Sequence, residues 1–205
     1  MSSETPSAAP APAPAFVPLS IPHLAGREWE YIKECLDTNW VSSVGSFVDR
    51  FEREFAQAVG AKAAIACSSG TAALHVSLLC AGVEPGDEVI VSTLTFIAPA
   101  NAVRYVGAHP VFLDAEEQHY QLDVDKLGDF LRRGCYRDGG VLKNAASGRR
   151  VSAIIPVHIL GHPCDMSPLL SLAQEYGLAV IEDATESLGS SYRGRATGTM
   201  GRCGC

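Results

Sequence analysis

The sequence predicts an α/β protein built on a mostly parallel, doubly wound sheet, and three observations carry that expectation. Short runs such as DEVIVS (87–92), VSAIIPVH (151–158) and LAVIED (178–183) are apolar at successive positions, so both of their faces are suited to burial. Segments with helical spacing separate these runs, and crossover helices are what join parallel neighbours. Each run also ends in small or polar residues: CSSGT, STLTF, LDAEE, PVHILGH and EDATES. Open parallel sheets bind ligands outside the carboxyl ends of their strands, so these five segments are where chemistry is expected.

Residues 1–20 contain the Pro/Ala repeat SAAPAPAPAF, which cannot pack a core and predicts a flexible, partly extended tail. The fold is expected to begin near Ile21 and to run through 21–205. REWEYIKECLDT (27–38) places Trp29, Ile32, Lys33 and Leu36 at helical spacing, and SFVDRFEREFAQAVG (46–60) puts Phe47, Phe51 and Phe55 on one stripe that ends at Gly60. AKAAIAC (61–67) then predicts a strand, SSGT a tight turn, and AALHVSLLCAG a helix closed by Gly82. The cycle repeats with DEVIVS as strand, TFIAPANAVRYVG as helix, HPVFLD as strand and DVDKLGDFLRRG as a helix capped by Asp123. GCYRDGGVLKNAASGRR (134–150) interrupts the rhythm with Gly, Asn and Ser and predicts a surface insertion. VSAIIPVH, DMSPLLSLAQEYG and LAVIED complete the pattern as strand, helix and strand.

Bulk properties narrow the function. Of 205 residues 47% are hydrophobic, as in an ordinary globular domain, and the net charge of −7 argues against a nucleic-acid footprint. No apolar run approaches the ~20 residues of a membrane span, and the N-terminus has no secretory signal pattern. Seven cysteines, an odd number scattered through apolar segments and loops alike, predict a reduced chain in the cytoplasm.

SSGTAAL is a strand-to-helix turn of very small residues, whose free amides and helix dipole would receive an anion. With neither G-x-G-x-x-G nor a Walker sequence present, a phosphomonoester fits better than a nucleotide pyrophosphate; a plain turn capped by serine is the alternative. Asp183 ends a buried strand, where a carboxylate is costly without a cation, a metal or several donors. A positive partner is therefore expected beside it, the alternatives being a cap on the next helix or a pair with an arginine. Phe96, at another strand end, is either core or a flat apolar plate for an aromatic ligand. His158, His162, Cys164, Cys203 and Cys205 match no common zinc spacing, so a loop histidine and buried thiols are expected and no metal.

Taken together, these residues resemble the DegT/DnrJ/StrS family of pyridoxal-phosphate-dependent, fold-type-I sugar aminotransferases. The matching segments are NWVSSVGSFVDRFEREFA, SSGTAALHVSLLCAGVEPGDEVIVSTLTFIAPANAV, GAHPVFLD, IIPVHILGHPCDM and AVIEDATESLGSSYRGRATGTMG, covering the chain from about His23 onward. The resemblance implies that Gly70, Thr71 and Ala72 hold the phosphate of pyridoxal 5'-phosphate, that Phe96 stacks on its ring, and that Asp183 pairs with the ring nitrogen. Glu186 stands where most relatives carry Gln or His, near the ring hydroxyl and the amino group in transit; the alternative is a surface helix residue. The ATES form resembles the branch that aminates UDP-linked 4-keto-6-deoxy-N-acetylhexosamines. An amino-acid donor, glutamate in most such enzymes, a nucleotide-sugar acceptor and a homodimer are implied with it, and no nucleic-acid or membrane partner.

The family also implies a downstream lysine that forms the Schiff base, yet no lysine follows Asp183 in this sequence. Lys33, Lys62, Lys126 and Lys143 all come earlier and match no family position. The chain is therefore expected to be an N-terminal part of the large domain, truncated before the small domain and inactive by itself. A non-catalytic remnant with weak cofactor or partner binding is the alternative.

Overall fold

The computed structural model describes residues 16–18 and 21–205. The predicted flexible tail lies almost wholly outside the described residues. The chain divides into two units, residues 1–45 and 46–205. In the first, α1 (Glu28–Asp37) follows the predicted period, with Lys33 and Asp37 paired one turn apart at 2.5 Å. The apolar stripe of α1 stays exposed at Trp29, Ile32 and Leu36.

The second unit opens with α2 (Ser46–Val59) and α3 (Gly70–Ala81), whose stops at Gly60 and Gly82 are left-handed residues with φ of 73° and 81°. Strands β1 (Glu88–Ser92) and β2 (His109–Leu113) flank α4 (Ile97–Tyr105), and α5 (Val124–Arg133) begins where Asp123 accepts the amides of Asp125 and Lys126. A hairpin, β3 (Cys135–Asp138) and β4 (Val141–Asn144), precedes β5 (Val151–Ile155), α6 (Met166–Tyr176) and β6 (Ala179–Glu182). A small hairpin, β7 (Ser191–Tyr192) and β8 (Arg195–Ala196), leads to β9 (Cys203–Gly204).

The predicted sheet is present. Its order is β2-β1-β5-β6-β9 and every pairing in it is parallel. Alternation along the strands sends Val89, Val91, Ala153, Ile155 and Ile181 to one face, against Leu74 and Leu78 of α3 and Ala102 and Val103 of α4. Ile90, Ile154 and Val180 face the other way, onto Leu127 and Leu131 of α5 and Leu169 and Ala173 of α6. Helices on both faces explain why the strand sequences show no polar alternation.

One expectation changes and another gains detail. Residues 61–67 are not a strand: no ladder partner for them exists among the described residues, and Ile65 is 77% exposed. Their amides turn to helix α2 instead, Ala61 donating to the carbonyl of Ala56 and Ala66 to the Glu52 carboxylate. A strand is defined by its neighbour, and apolar composition alone cannot supply one. The surface insertion predicted at 134–150 takes the form of a β-hairpin. Gly139 and Gly140, with φ of 56° and 86°, form the two-residue loop that a right-twisted hairpin favours, and Asn144 donates to the buried Glu88 carboxylate at 2.7 Å to dock the hairpin on the sheet.

Candidate functional site

The carboxyl ends of β1, β5 and β6 and the amino end of α3 converge on one cavity of about 220 Å³. Gly70, Thr71, Phe96, Asp183 and Glu186 line it together with His158, Ile159 and Thr185. Five of the six residues singled out from the sequence thus meet at one place. Ala72 does not line the cavity; its amide donates to the Ser69 side chain at 3.2 Å, capping α3. The serine-cap reading of SSGT holds, and the cap does not occupy the first amides of the turn. Among the described residues the amides of Gly70 and Thr71 make no hydrogen bond and stand at the positive end of the helix dipole.

Asp183 sits one residue past β6, where its backbone still pairs with the β5 extension: its amide donates to Pro156 and its carbonyl accepts from His158. Only 6% exposed, it accepts on Oδ1 from the Thr185 hydroxyl at 2.7 Å and the Thr185 amide at 3.2 Å. Oδ2 has no partner, and no cation pairs with Asp183, among the described residues. The expected positive group is therefore not a side chain of this unit, and neither the arginine pair nor a cap on a regular helix accounts for the acid.

Glu186 is exposed and anchors a loop. Its Oε2 accepts the amide of Leu160 at 2.5 Å, and Leu160 is held at φ 54° in the left-handed region that branched and bulky residues avoid. Gln121, 4% exposed, holds the same loop by donating to the carbonyl of Ile159 and accepting its amide. Phe96 is 77% exposed at the cavity rim, just before α4. It is not core.

Glu182 answers why two carboxylates adjoin at the strand end. It is fully buried, faces away from the Asp183 position and gathers four donors: the amides of Met200 (2.6 Å), Gly201 (2.5 Å) and Gly198 (2.9 Å) and the His158 ring at 3.0 Å. Burial raises its pKa, but the His158 bond and the Gly201, Gly198 and Met200 amides outweigh that and hold it below the usual carboxylate range. The His158 Nδ1 accepts the amide of Cys164, so the ring proton is on Nε2 and is donated to Glu182. Burial pushes the Cys164 thiol up to about 12, and it donates to Val157 and Gln121. His158 and Cys164 are thus committed to structural bonds, and no group of three metal-ligating side chains converges among the described residues.

Sequence reasoning missed Thr185, His158 and Gln121 as parts of the site. For Thr185 a signal existed: Asp-x-Thr is the spacing at which an acid accepts from the residue two positions on. For Gln121 none existed, because its partner lies 38 residues away.

Comparison with known proteins shows the family. The family model described as DegT/DnrJ/EryC1/StrS aminotransferase family matches residues 22–205. A GDP-perosamine synthase of Caulobacter vibrioides is 45% identical over 187 residues, 91% of this chain and 46% of that protein. EpsN of Bacillus subtilis, whose name describes a pyridoxal phosphate-dependent aminotransferase, is 41% identical over 186 residues, 91% of this chain and 45% of its own length. The solved structure of an aminotransferase from Psychrobacter cryohalolentis superposes with a TM-score of 0.76 at 33% identity, covering 91% of this chain and 44% of that one. The chain thus spans about half the length of the relatives it matches. With nearly all of residues 22–205 matched and the parallel sheet shared, the chain belongs to the DegT/DnrJ/EryC1/StrS aminotransferase family.

Proposed function

We propose that this chain carries the cofactor-binding half of an enzyme that moves an amino group from an amino acid, in first place glutamate, to a nucleotide-linked 4-keto-6-deoxy sugar, with pyridoxal 5'-phosphate as cofactor. The observation that carries the reading is Asp183: a residue only 6% exposed whose Oδ2 has no donor or cation among the described residues, and which lines the same cavity as Gly70 and Thr71 with their free amides. An anion cradle and an unpartnered acid in one cavity fit a ligand with an anionic ester at one end and a basic ring nitrogen at the other. When bound, the cofactor supplies an electron sink for the carbanion of transamination. Gly70 and Thr71, with Ala72 beside them in the same turn, would hold the phosphate. Phe96 would cover one ring face. Asp183 would hold the proton on the ring nitrogen, and Glu186, one oxygen committed to Leu160, would offer the other to the ring hydroxyl or the amino group.

The relatives named GDP-perosamine synthases and the ATES segment point to different sugar nucleotides, GDP-linked and UDP-linked. The reading carries with it a homodimer, a cytoplasmic location and a role in supplying amino sugars for polysaccharides. The chain extended by the C-terminal half that its relatives carry, given cofactor, glutamate and either GDP- or UDP-linked 4-keto-6-deoxy sugar, should yield an amino-sugar nucleotide detectable by mass spectrometry. Binding of neither cofactor nor sugar by folded protein refutes the assignment.

A second reading has one observation in its favour: no lysine lines the cavity. On that reading the polypeptide binds cofactor without turnover. Steady release of 2-oxoglutarate from glutamate by the 205-residue chain alone would overturn it.

A further inference from the structure

We infer that Thr185 is a positioning residue that locks the Asp183 carboxylate so that one chosen oxygen faces the ligand; this rests on the cofactor reading above. The torsion that turns a carboxylate is soft and roughly two-fold, so an aspartate in a cavity has no inherent preference for which oxygen it presents. Here the choice is made by Thr185. Its hydroxyl at 2.7 Å and its amide at 3.2 Å both reach Oδ1, a two-point hold that a residue without a hydroxyl would reduce to one. Oδ2 is left as the one oxygen of Asp183 able to accept from a ligand.

The same hydroxyl stands beside the anion turn. A Cβ placed on Gly70 would lie 3.4 Å from Thr185 Oγ1, so the small residue that opens α3 and the hydroxyl that holds the acid are in contact range. Thr185 therefore sits between the two groups that must be spaced to suit one ligand, and it lines the cavity with both. The same bond orients Thr185, whose hydroxyl donates to the acid two residues earlier. Without the hydroxyl, Asp183 keeps its place at the strand end but gains freedom to rotate. The loss should fall on ligands that donate to Oδ2 and spare those that do not.

Pyridoxamine 5'-phosphate, which binds without any covalent bond, is the probe, and its carbocyclic counterpart with C–H in place of the ring nitrogen is the control. Fluorescence titration of the 205-residue chain should show Thr185→Val weakening the first probe roughly tenfold, the scale of one lost bond to a charged group, while Thr185→Ser stays near the parent. Affinity for the control should not change. Should Thr185→Val fail to give the parent circular dichroism, Thr185→Ala carries the same expectation. Equal losses for both probes, or no loss for the first, overturn the inference while leaving the cofactor reading intact. Parent protein that binds neither probe overturns both.

Discussion

Glu182 and His158 meet at 3.0 Å at the carboxyl ends of two adjacent parallel strands, each side chain fully closed to solvent. The His158 proton is fixed on Nε2 by the Cys164 amide, and three further amides from residues 198–201 converge on the same carboxylate. Both carboxylate oxygens therefore meet donors only. That arrangement makes the acid irreplaceable even by its amide.

Glu182→Gln should lower stability by about 2–4 kcal/mol, since its amide nitrogen must face a donor whichever way it turns. Urea unfolding near neutral pH measures the loss. The pH dependence has a definite sign. The folded carboxyl ionises below the ordinary glutamate value of 4.5, so its contribution is complete above that value and is lost as pH falls through the folded one. The variant should show a shallower fall of stability on acidification than the parent.

Gly201→Ala should be severe for a reason of space. A Cβ there would lie 2.6 Å from the backbone oxygen of Val180, and neither atom can yield without moving β6. A loss of about 1–3 kcal/mol is expected, read as a lower urea midpoint with an unchanged slope.

Leu160→Gly should act in the opposite direction. The leucine holds φ at 54° with its side chain 80% exposed, so little packing is given up and the left-handed strain is relieved. The expected gain is about 0.5–1 kcal/mol in thermal unfolding. A loss instead would mean that the leucine makes contacts beyond those of the isolated chain.

Arg150 joins the start of β5 to the turn before β1, with Nε and a terminal nitrogen on the two oxygens of Asp87 (2.8 and 2.5 Å) and a further bond to the Gly82 carbonyl. Burial raises the Asp87 pKa, but the Arg150 bonds and the Glu84 amide more than offset it and leave it lowered. Arg150→Lys keeps the charge and loses the fork, so stability should drop by about 1 kcal/mol, with a reduced dependence on salt. Denaturant curves at low and high ionic strength check both parts.

How much of this was legible follows from the range of each interaction. Strands apolar on both faces announced a sheet covered on both sides, and Asp123, Gly60 and Gly82 marked helix ends through local chemistry. The cavity was legible because strand ends in such sheets share one rim, which brought Gly70, Phe96 and Asp183 together from distant segments. AKAAIAC was misleading because its composition suits a strand whose ladder depends on residues elsewhere. The Gly139-Gly140 pair was a local signal that the surrounding polar residues masked. Gln121 and the Glu182 donors were beyond reach, as no short-range pattern pairs residues 16 to 38 positions apart.

Strand β9 attaches to the sheet along a single ladder, and its fastenings run to Glu182 and the residues around it. Such a flap lifts as a unit, sooner and more often than the strands it leans on. Each lifting frees the Cys205 sulfur, which lies 3.3 Å from the Ser77 hydroxyl and which burial pushes up to about 11. The rate of alkylation at that thiol is then a clock for the excursion, and it should run fastest in the protein whose Glu182 has been changed.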